Sequence, residues 1–197
     1  MEFHLKMFKS SSNPKPRIWC VDNFYDDPLA VREFALQQTF QEEIYFRGKR
    51  TPQQFLFPGL KERFEEIMGF KITKWEEHGM NGRFQHCTVE DALVYHCDDQ
   101  TWAAVIYLTP DAPPDTGTTL WRHKKYKLRH LKEMHNGPMG YAFDKGFLDR
   151  TPFEPVDVIG NVFNRLVIWD AGSIHSASEY FGMKKEDSRL FQIFFFD

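Results

Sequence analysis

The sequence has few cysteines and no motif that pairs them. Cys20, Cys87 and Cys97 are the only three in 197 residues, and no two of them form a CxxC pair. An odd number of cysteines without a secretion signal indicates a reducing compartment rather than a disulfide framework. The sequence also lacks an apolar run long enough for a membrane helix, and its first residues lack the apolar core of a signal peptide. We therefore expect a cytoplasmic protein that does not associate with a membrane.

An excess of basic charge is missing as well. Lys and Arg number 25 and Asp and Glu number 28, which gives a formal net charge of −3. This balance argues against nucleic acid as the partner, because nucleic-acid binding rests on positive charge. A local basic cluster between residues 122 and 132 keeps an oxidative nucleic-acid demethylase open as an alternative. The same cluster is equally consistent with steering of an anionic substrate or with a solvated helix face.

Phenylalanine, in contrast, occurs 20 times and provides material for a large core. Residues 1–16 are predicted to form a flexible arm, and residues 17–197 a single domain. Asp27 and Pro28 are typical of a helix start, and the apolar spacing from Leu60 to Met68 predicts a second helix. Short runs rich in β-branched and aromatic residues predict a mainly β fold with flanking helices, arranged as a sandwich or barrel. The strand-like runs are 17–21, 70–77, 82–89, 92–96, 102–109, 118–123, 164–170, 173–178 and 188–197.

One long segment interrupts this series of strands. Residues 122–155 begin with basic residues and contain several Gly and Pro. A long insertion in a compact β domain is usually functional or mobile, so we expect a lid that borders the site. The insertion contains His123, His130 and His135, whose separations do not match a compact zinc pattern. We predict that these three histidines lie on the solvated surface.

A histidine and two acids occupy the corner between two apolar runs, residues 92–95 and 102–108. His96 and Asp98 are two residues apart, a spacing that places both side chains on one face of a strand end. His175 follows a buried-looking strand and an Ala-Gly turn, and it completes a set of two histidines and one carboxylate, which is typical of a non-haem Fe(II) site. Asp99 is a competing carboxylate, but alternation predicts that it points to the opposite face. The alternative interpretation is an ordinary turn in which His96 and Asp98 are structural.

The last apolar run places an arginine among aromatic residues. Alternation puts Arg189 on the same face as Phe191, Ile193 and Phe195. A guanidinium buried there needs an anion, because an unpaired buried charge is very costly, and its planar fork suits a carboxylate. The alternative is a strand-end arginine that reaches solvent or pairs with a structural acid.

These residues, in this order and spacing, resemble those of the iron(II)/2-oxoglutarate-dependent oxygenases. "GTTLW" (117–121) and "NRLVIWDAGSIHSA" (164–177) resemble two strands of the prolyl-hydroxylase-like branch. "VDNFYDDPLAVREFA" (21–35) resembles the first strand and helix of small bacterial and phage members. The resemblance extends from about residue 17 to the end of the chain and implies a double-stranded β-helix, or jelly roll.

The resemblance also implies the roles of individual residues. His96, Asp98 and His175 would be the metal ligands, and Arg189 would hold the far carboxylate of the cosubstrate. The implied cofactors are Fe(II) and 2-oxoglutarate. Tyr107 is a further candidate to hydrogen-bond the cosubstrate, although tyrosines in strands are more often core residues.

The predicted function is therefore a dioxygenase, with hydroxylation of an amino acid, a peptide side chain or a small metabolite as the default reaction. A cupin-like metal enzyme that does not use 2-oxoglutarate, and a jelly-roll binding module without catalysis, are the alternatives. Trp121 and Trp169 either line the pocket or pack in the core. The sequence does not predict the oligomeric state.

Overall fold

A computed structural model describes residues 17–42, 47–134 and 142–197. The predicted arm at residues 1–16 and His135 lie outside this part of the chain. Short 3₁₀ turns occur at Pro114–Thr116 and Leu131–Met134. The helices and strands are β1 (Ile18–Val21), α1 (Pro28–Leu36), β2 (Lys49–Arg50), α2 (Leu60–Met68), β3 (Arg83–Cys87), β4 (Trp102–Tyr107), β5 (Thr118–His123), β6 (Phe153–Ile159), β7 (Leu166–Asp170), β8 (His175–Ala177) and β9 (Arg189–Phe196).

The strands form two antiparallel sheets. The larger sheet has six strands in the order β1-β7-β4-β9-β3-β2, and the smaller has three in the order β6-β5-β8. Strands that are distant in sequence lie side by side, as β3 and β9 do, while the chain crosses between the sheets. This arrangement is the predicted double-stranded β-helix, and the prediction of a mainly β fold is confirmed.

Both helices cover the outer face of the larger sheet. α1 begins as expected, because the Asp27 side chain accepts a hydrogen bond from the backbone N–H of Ala30 and Pro28 is its first residue. α2 packs Phe64 against Phe194 and Phe196, which belong to the outward face of β9. Among the described residues, no helix combines the length and apolar character that crossing a membrane requires.

The inner face of the larger sheet points toward the smaller sheet. Phe191 of β9 lies in one apolar cluster with Val105, Val167 and Trp169, and Leu120 of the smaller sheet joins the same cluster. Leu190, Phe194 and Phe196 instead belong to the outer cluster. The alternation expected for β9 is therefore present, and it directs Arg189 into the space between the sheets.

Two of the predicted strands are absent. Residues 70–77 form a loop, in which Thr73 and Lys74 donate their backbone N–H groups to the carbonyl of Asp197. Residues 92–95 have no strand partner, and only His96 forms an isolated bridge, with His175. The apolar composition of both segments correctly indicated buried side chains. Neither segment is a strand, however, because no neighbouring strand pairs with its backbone N–H and C=O groups. β6 was not predicted, and its first three residues fall within the expected insertion, which leaves residues 124–152 between β5 and β6.

We predict that Phe64→Ala destabilises the domain by about 3–5 kcal/mol, the usual cost of removing a buried aromatic ring. Phe64 is fully buried and its ring contacts the rings of Phe24, Trp75, Phe194 and Phe196. Urea unfolding measures the change. Leu29→Ala in α1 is the control, because Leu29 is 55% exposed and its loss should change stability by less than about 0.5 kcal/mol. Equal effects of the two variants would contradict this account of the core.

Candidate metal centre

Backbone hydrogen bonds bring the two histidines together from separate parts of the chain. The N–H of His96 donates to the carbonyl of His175 at 3.1 Å, and the N–H of His175 donates to the carbonyl of His96 at 2.8 Å. Asp98 is fixed in the same way, because its N–H donates to the carbonyl of Ala171 at 2.9 Å. The corner at 96–98 is thus held against the end of β7 and the start of β8.

The three side chains converge on one point. One possible ligand atom from each of His96, Asp98 and His175 lies within 4.8 Å of the other two. Nε2 of His96 is 3.5 Å from Oδ1 of Asp98, and Nε2 of His175 is 3.2 Å from Oδ2 of the same carboxylate. Two ligands at right angles around an ion with bonds of about 2.1 Å are about 3 Å apart, so this spacing suits a first-row divalent ion.

Both imidazoles are oriented so that Nε2 faces the cluster. Nδ1 of His96 lies 3.0 Å from the carbonyl oxygen of Val94, and Nδ1 of His175 lies 2.8 Å from that of Ser173. A carbonyl oxygen only accepts, so each Nδ1 carries the hydrogen and each Nε2 presents a lone pair. Hydrogen bonds of this kind fix the tautomer and ring orientation of metal-binding histidines.

The protonation states also suit a cation. Burial, together with the nearby His175, lowers the pKa of His96 to about 4, so the ring is neutral at pH 7. Burial acts to raise the pKa of Asp98, but positive charge beside it, on a protonated His175 or His96 and on Arg50, outweighs burial and lowers the pKa. Oδ2 of Asp98 is buried and accepts no hydrogen bond. An ionised, buried carboxylate oxygen between two imidazole lone pairs is a donor set that fits a divalent metal.

The neighbours of Asp98 are not part of this cluster. Asp99 is not in the group of converging ligand atoms among the described residues. Burial and the nearby carboxylates, Asp98 first, raise the pKa of Cys97 to about 12. A thiol that stays protonated is a poor metal ligand, since the thiolate is the species that binds metals.

Arg189 occupies the inner face of the larger sheet and is 3% exposed. Its Nε donates to the carbonyl of Thr116 at 2.9 Å and its Nη2 to the carbonyl of Gly117 at 3.1 Å. The guanidinium lies over the rings of Phe191, at 4.4 Å, and Tyr107, at 5.2 Å. No carboxylate in the described part of the chain forms an ion pair with it. The alternatives of a solvated arginine and of a pairing with a described structural acid therefore do not apply.

Tyr107 lies beside this guanidinium and is fully buried. Its hydroxyl is 2.8 Å from Oγ1 of Thr118, and burial raises the pKa of the phenol, so it keeps its proton. The neighbouring Gly117 permits a close approach of two backbone segments, because a Cβ at this position would lie 1.9 Å from the carbonyl oxygen of Ile159. The "GTTLW" motif (117–121) thus supplies one of the two carbonyl acceptors of Arg189, from Gly117, and the Thr118 hydroxyl that lies beside Tyr107.

The prediction that the insertion histidines are solvated was wrong for two of the three. His123 is 5% exposed and His130 is 6% exposed, whereas His135 lies outside the described residues. Nε2 of His130 is 2.7 Å from Oδ1 of Asp170, and backbone hydrogen bonds join residues 129–131 to residues 172–174. The spacing of the histidines within the insertion does not predict this contact, because the partner of His130 is forty residues away in the sequence. Residues 129–131 of the insertion therefore lie beside the segment that leads to His175, and the role of the insertion as a lid stays a prediction.

Arg50 was not singled out from the sequence. It is 7% exposed in β2, and its Nε and Nη2 donate to Oε1 of Gln85 at 2.8 and 2.5 Å. Its charge contributes to the lowered pKa of both His96 and Asp98. A second arginine therefore acts electrostatically on the cluster, and no local motif marks it because β2 has only two residues.

A jelly roll with a His-Asp-His cluster at one end of its inner face is the class of protein that the fold and the site define. The model of the Family of unknown function (DUF6445) matches residues 6–179, and the chain belongs to this family. No curated protein matches the sequence.

Solved structures with a similar fold include a protein with 2-oxoglutarate bound and a prolyl hydroxylase. HygX from Streptomyces hygroscopicus, with nickel, 2-oxoglutarate and hygromycin B bound, aligns with a TM-score of 0.53 and 11% identity, covering 90% of this chain and 81% of HygX. Its complex with nickel and 2-oxoglutarate aligns with a TM-score of 0.51 and 12% identity over the same shares. A prolyl hydroxylase from Trichoplax adhaerens, in complex with a hypoxia inducible factor peptide fragment, has a TM-score of 0.51 and 11% identity, covering 92% and 84%. Identities this low establish the fold alone.

We predict that the protein binds one divalent first-row ion and that Asp98→Asn weakens binding about 100-fold or more. Loss of a residue that hydrogen-bonds a metal ligand typically lowers metal affinity 10- to 100-fold, and loss of the charged ligand itself should lower it at least as much. Calorimetric titration with Zn(II), which is redox-inert, measures the affinity. Asp99→Asn removes the adjacent carboxylate and should leave the affinity unchanged. Similar losses in both variants would show that general negative charge, rather than this cluster, attracts the ion.

Proposed function

We propose that this protein is an Fe(II)- and 2-oxoglutarate-dependent oxygenase. The observation that carries the proposal is the buried Arg189, which faces the same interior as the His96–Asp98–His175 cluster and has no ion-pair partner among the described residues. A buried guanidinium of this kind calls for an anionic ligand, because an uncompensated buried charge costs several kcal/mol. The two features together suit a ligand that has a carboxylate at one end and metal-binding oxygens at the other.

His96, Asp98 and His175 would hold the iron, with the neutral Nε2 atoms and the ionised carboxylate as ligands. Three protein ligands leave positions open for other molecules. When bound, iron and 2-oxoglutarate supply the oxidative chemistry that inserts an oxygen atom of O₂ into a substrate C–H bond, with succinate and CO₂ as the other products.

The chain itself contributes binding and orientation. Arg189 is oriented by the carbonyls of Thr116 and Gly117, so the rest of its planar fork is available to a carboxylate in a fixed direction. Tyr107 keeps its hydroxyl proton and is positioned by Thr118, which makes it a hydrogen-bonding candidate for the same carboxylate. The apolar wall of Val105, Val167 and Phe191 excludes water and so strengthens these interactions.

The substrate is proposed only as a class. HygX has been solved with hygromycin B and the prolyl hydroxylase with a peptide fragment, so the fold accommodates both small molecules and peptides. We therefore propose an amino acid, a peptide side chain or a small metabolite, with hydroxylation as the reaction. Succinate formation under Fe(II), measured for each candidate class and compared with Asp98→Asn, tests this proposal. A protein that binds metal but never converts 2-oxoglutarate would favour the cupin-like or binding-module alternative.

We predict that Arg189→Ala weakens 2-oxoglutarate binding about 30-fold or more, since removing one partner of a desolvated charge pair costs about 2–5 kcal/mol. The affinity for the metal should stay nearly unchanged. Arg189→Lys should restore only part of the loss, because Lys keeps the charge but not the fork. Calorimetric titration of 2-oxoglutarate into the anaerobic, metal-loaded protein provides the comparison.

Arg63→Ala is the matched control, since Arg63 lies on α2 and pairs with Glu66 at the exposed surface. It should bind 2-oxoglutarate like the wild type. If Arg189→Ala also binds like the wild type, or if the wild type does not bind, Arg189 has no part in recognising a cosubstrate.

A further inference from the structure

Two tryptophans near the cluster are buried to the same extent but differ in how their N–H groups are satisfied. Trp121 and Trp169 are each 4% exposed. Nε1 of Trp121 donates to Oγ of Ser176 at 2.9 Å, as expected for a tryptophan that packs in a core. Nε1 of Trp169 is buried and has no hydrogen-bond partner. The structure therefore separates two residues that the sequence treated alike.

Trp169 lies on the inner face of the larger sheet, next to the candidate metal ligands. Its ring centroid is 5.1 Å from that of His175, with the two planes at 62°. Ala103, Val105 and Val167 belong to the same apolar cluster and offer no side-chain acceptor. The unpartnered donor thus belongs to the interior that contains the His-Asp-His cluster.

An unsatisfied buried N–H is costly. Leaving a buried donor without an acceptor destabilises a protein, and unpaired buried polar groups are uncommon in native structures. Phenylalanine at this position would bury a smaller aromatic ring without that cost. A ligand that supplies an acceptor would remove the cost only while it is bound, which makes the donor useful for recognition.

The strand register shows where along the interior such an acceptor would lie. The guanidinium of Arg189 lies over the rings of Tyr107 and Phe191, which pair across β4 and β9, whereas Trp169 pairs with Ala103, four residues before Tyr107 in β4. Four residues span about 13 Å along a strand. Arg189 and Trp169 therefore reach into the interior from two different levels, and a five-carbon dicarboxylate between these long side chains would have one end at each.

We propose that the indole N–H of Trp169 donates a hydrogen bond to a carboxylate or keto oxygen at the metal-binding end of 2-oxoglutarate. This inference rests on the proposed function and adds a positioning residue to it. Arg189 would fix the far end of the molecule, and Trp169 would fix the rotation of the near end beside His175. The oxygen that accepts the bond would be oriented before the substrate enters.

The indole N–H signal of Trp169 reports on this contact directly. The protein has five tryptophans and therefore gives five indole signals in a ¹H–¹⁵N spectrum. The Trp169 signal is assigned by its absence in Trp169→Phe, or by sequential assignment if that variant does not fold. With the protein loaded with Zn(II), 2-oxoglutarate should shift the Trp169 signal downfield, in proportion to the occupancy measured by calorimetry. The Trp121 signal should stay in place, because its acceptor is Ser176.

We also predict that Trp169→Phe weakens 2-oxoglutarate binding about 5-fold or more, with the affinity for Zn(II) unchanged, because a hydrogen bond to a neutral keto oxygen corresponds to about 5- to 10-fold and one to a charged carboxylate to more. Trp121→Phe is the control: it removes the N–H that binds Ser176, so it should lower the thermal midpoint but keep the wild-type affinity for 2-oxoglutarate.

The outcomes distinguish this inference from the proposed function. If the Zn(II)-loaded wild type does not bind 2-oxoglutarate, both are overturned. If it binds 2-oxoglutarate while the Trp169 signal does not move, or if Trp169→Phe binds as tightly as the wild type, only the role of Trp169 is overturned.

Discussion

The site depends on the pair of backbone hydrogen bonds that joins His96 to His175. These residues are far apart in sequence, and each donates its N–H to the carbonyl of the other. Because backbone bonds fix the two Cα positions, the imidazoles need only one further contact each, from Nδ1 to a nearby carbonyl, to present Nε2 to the same point. The cluster is therefore organised by the protein itself, a condition for binding a metal with defined geometry.

The two faces of β9 have separate tasks. Phe194 and Phe196 pack on α2 and contribute to stability, whereas Arg189 and Phe191 face the interior with the His-Asp-His cluster. Since side chains alternate along a strand, core packing and the proposed ligand binding fall to different residues of one element. Substitutions on the outer face should therefore act on folding, and substitutions on the inner face on the ligand.

The interior has an unusual charge distribution for a protein core. Arg189 and Arg50 are both buried, and Asp98 is an ionised carboxylate close to the imidazoles of His96 and His175. Such groups are costly in an apolar surrounding, and their cost is offset only by well-placed partners. Carbonyls of Thr116 and Gly117 provide part of the compensation for Arg189, and a bound anion would supply the rest. One fold can serve many functions, so these buried charged groups indicate the function of the protein better than the fold does.

The convergence of His96, Asp98 and His175 was expected from a family resemblance, whereas the sequence by itself determined the mainly β class of fold, the start of α1 and the two faces of β9. These follow from local rules, namely alternation along strands, capping chemistry and side-chain donor types, which act over a few residues. Only the tertiary structure decided that residues 92–95 lack a strand partner, that His130 is buried against Asp170, and that Trp169 lacks the acceptor that Trp121 has. Each of these depends on which distant segment is adjacent, and no residue pattern within one segment records its partners.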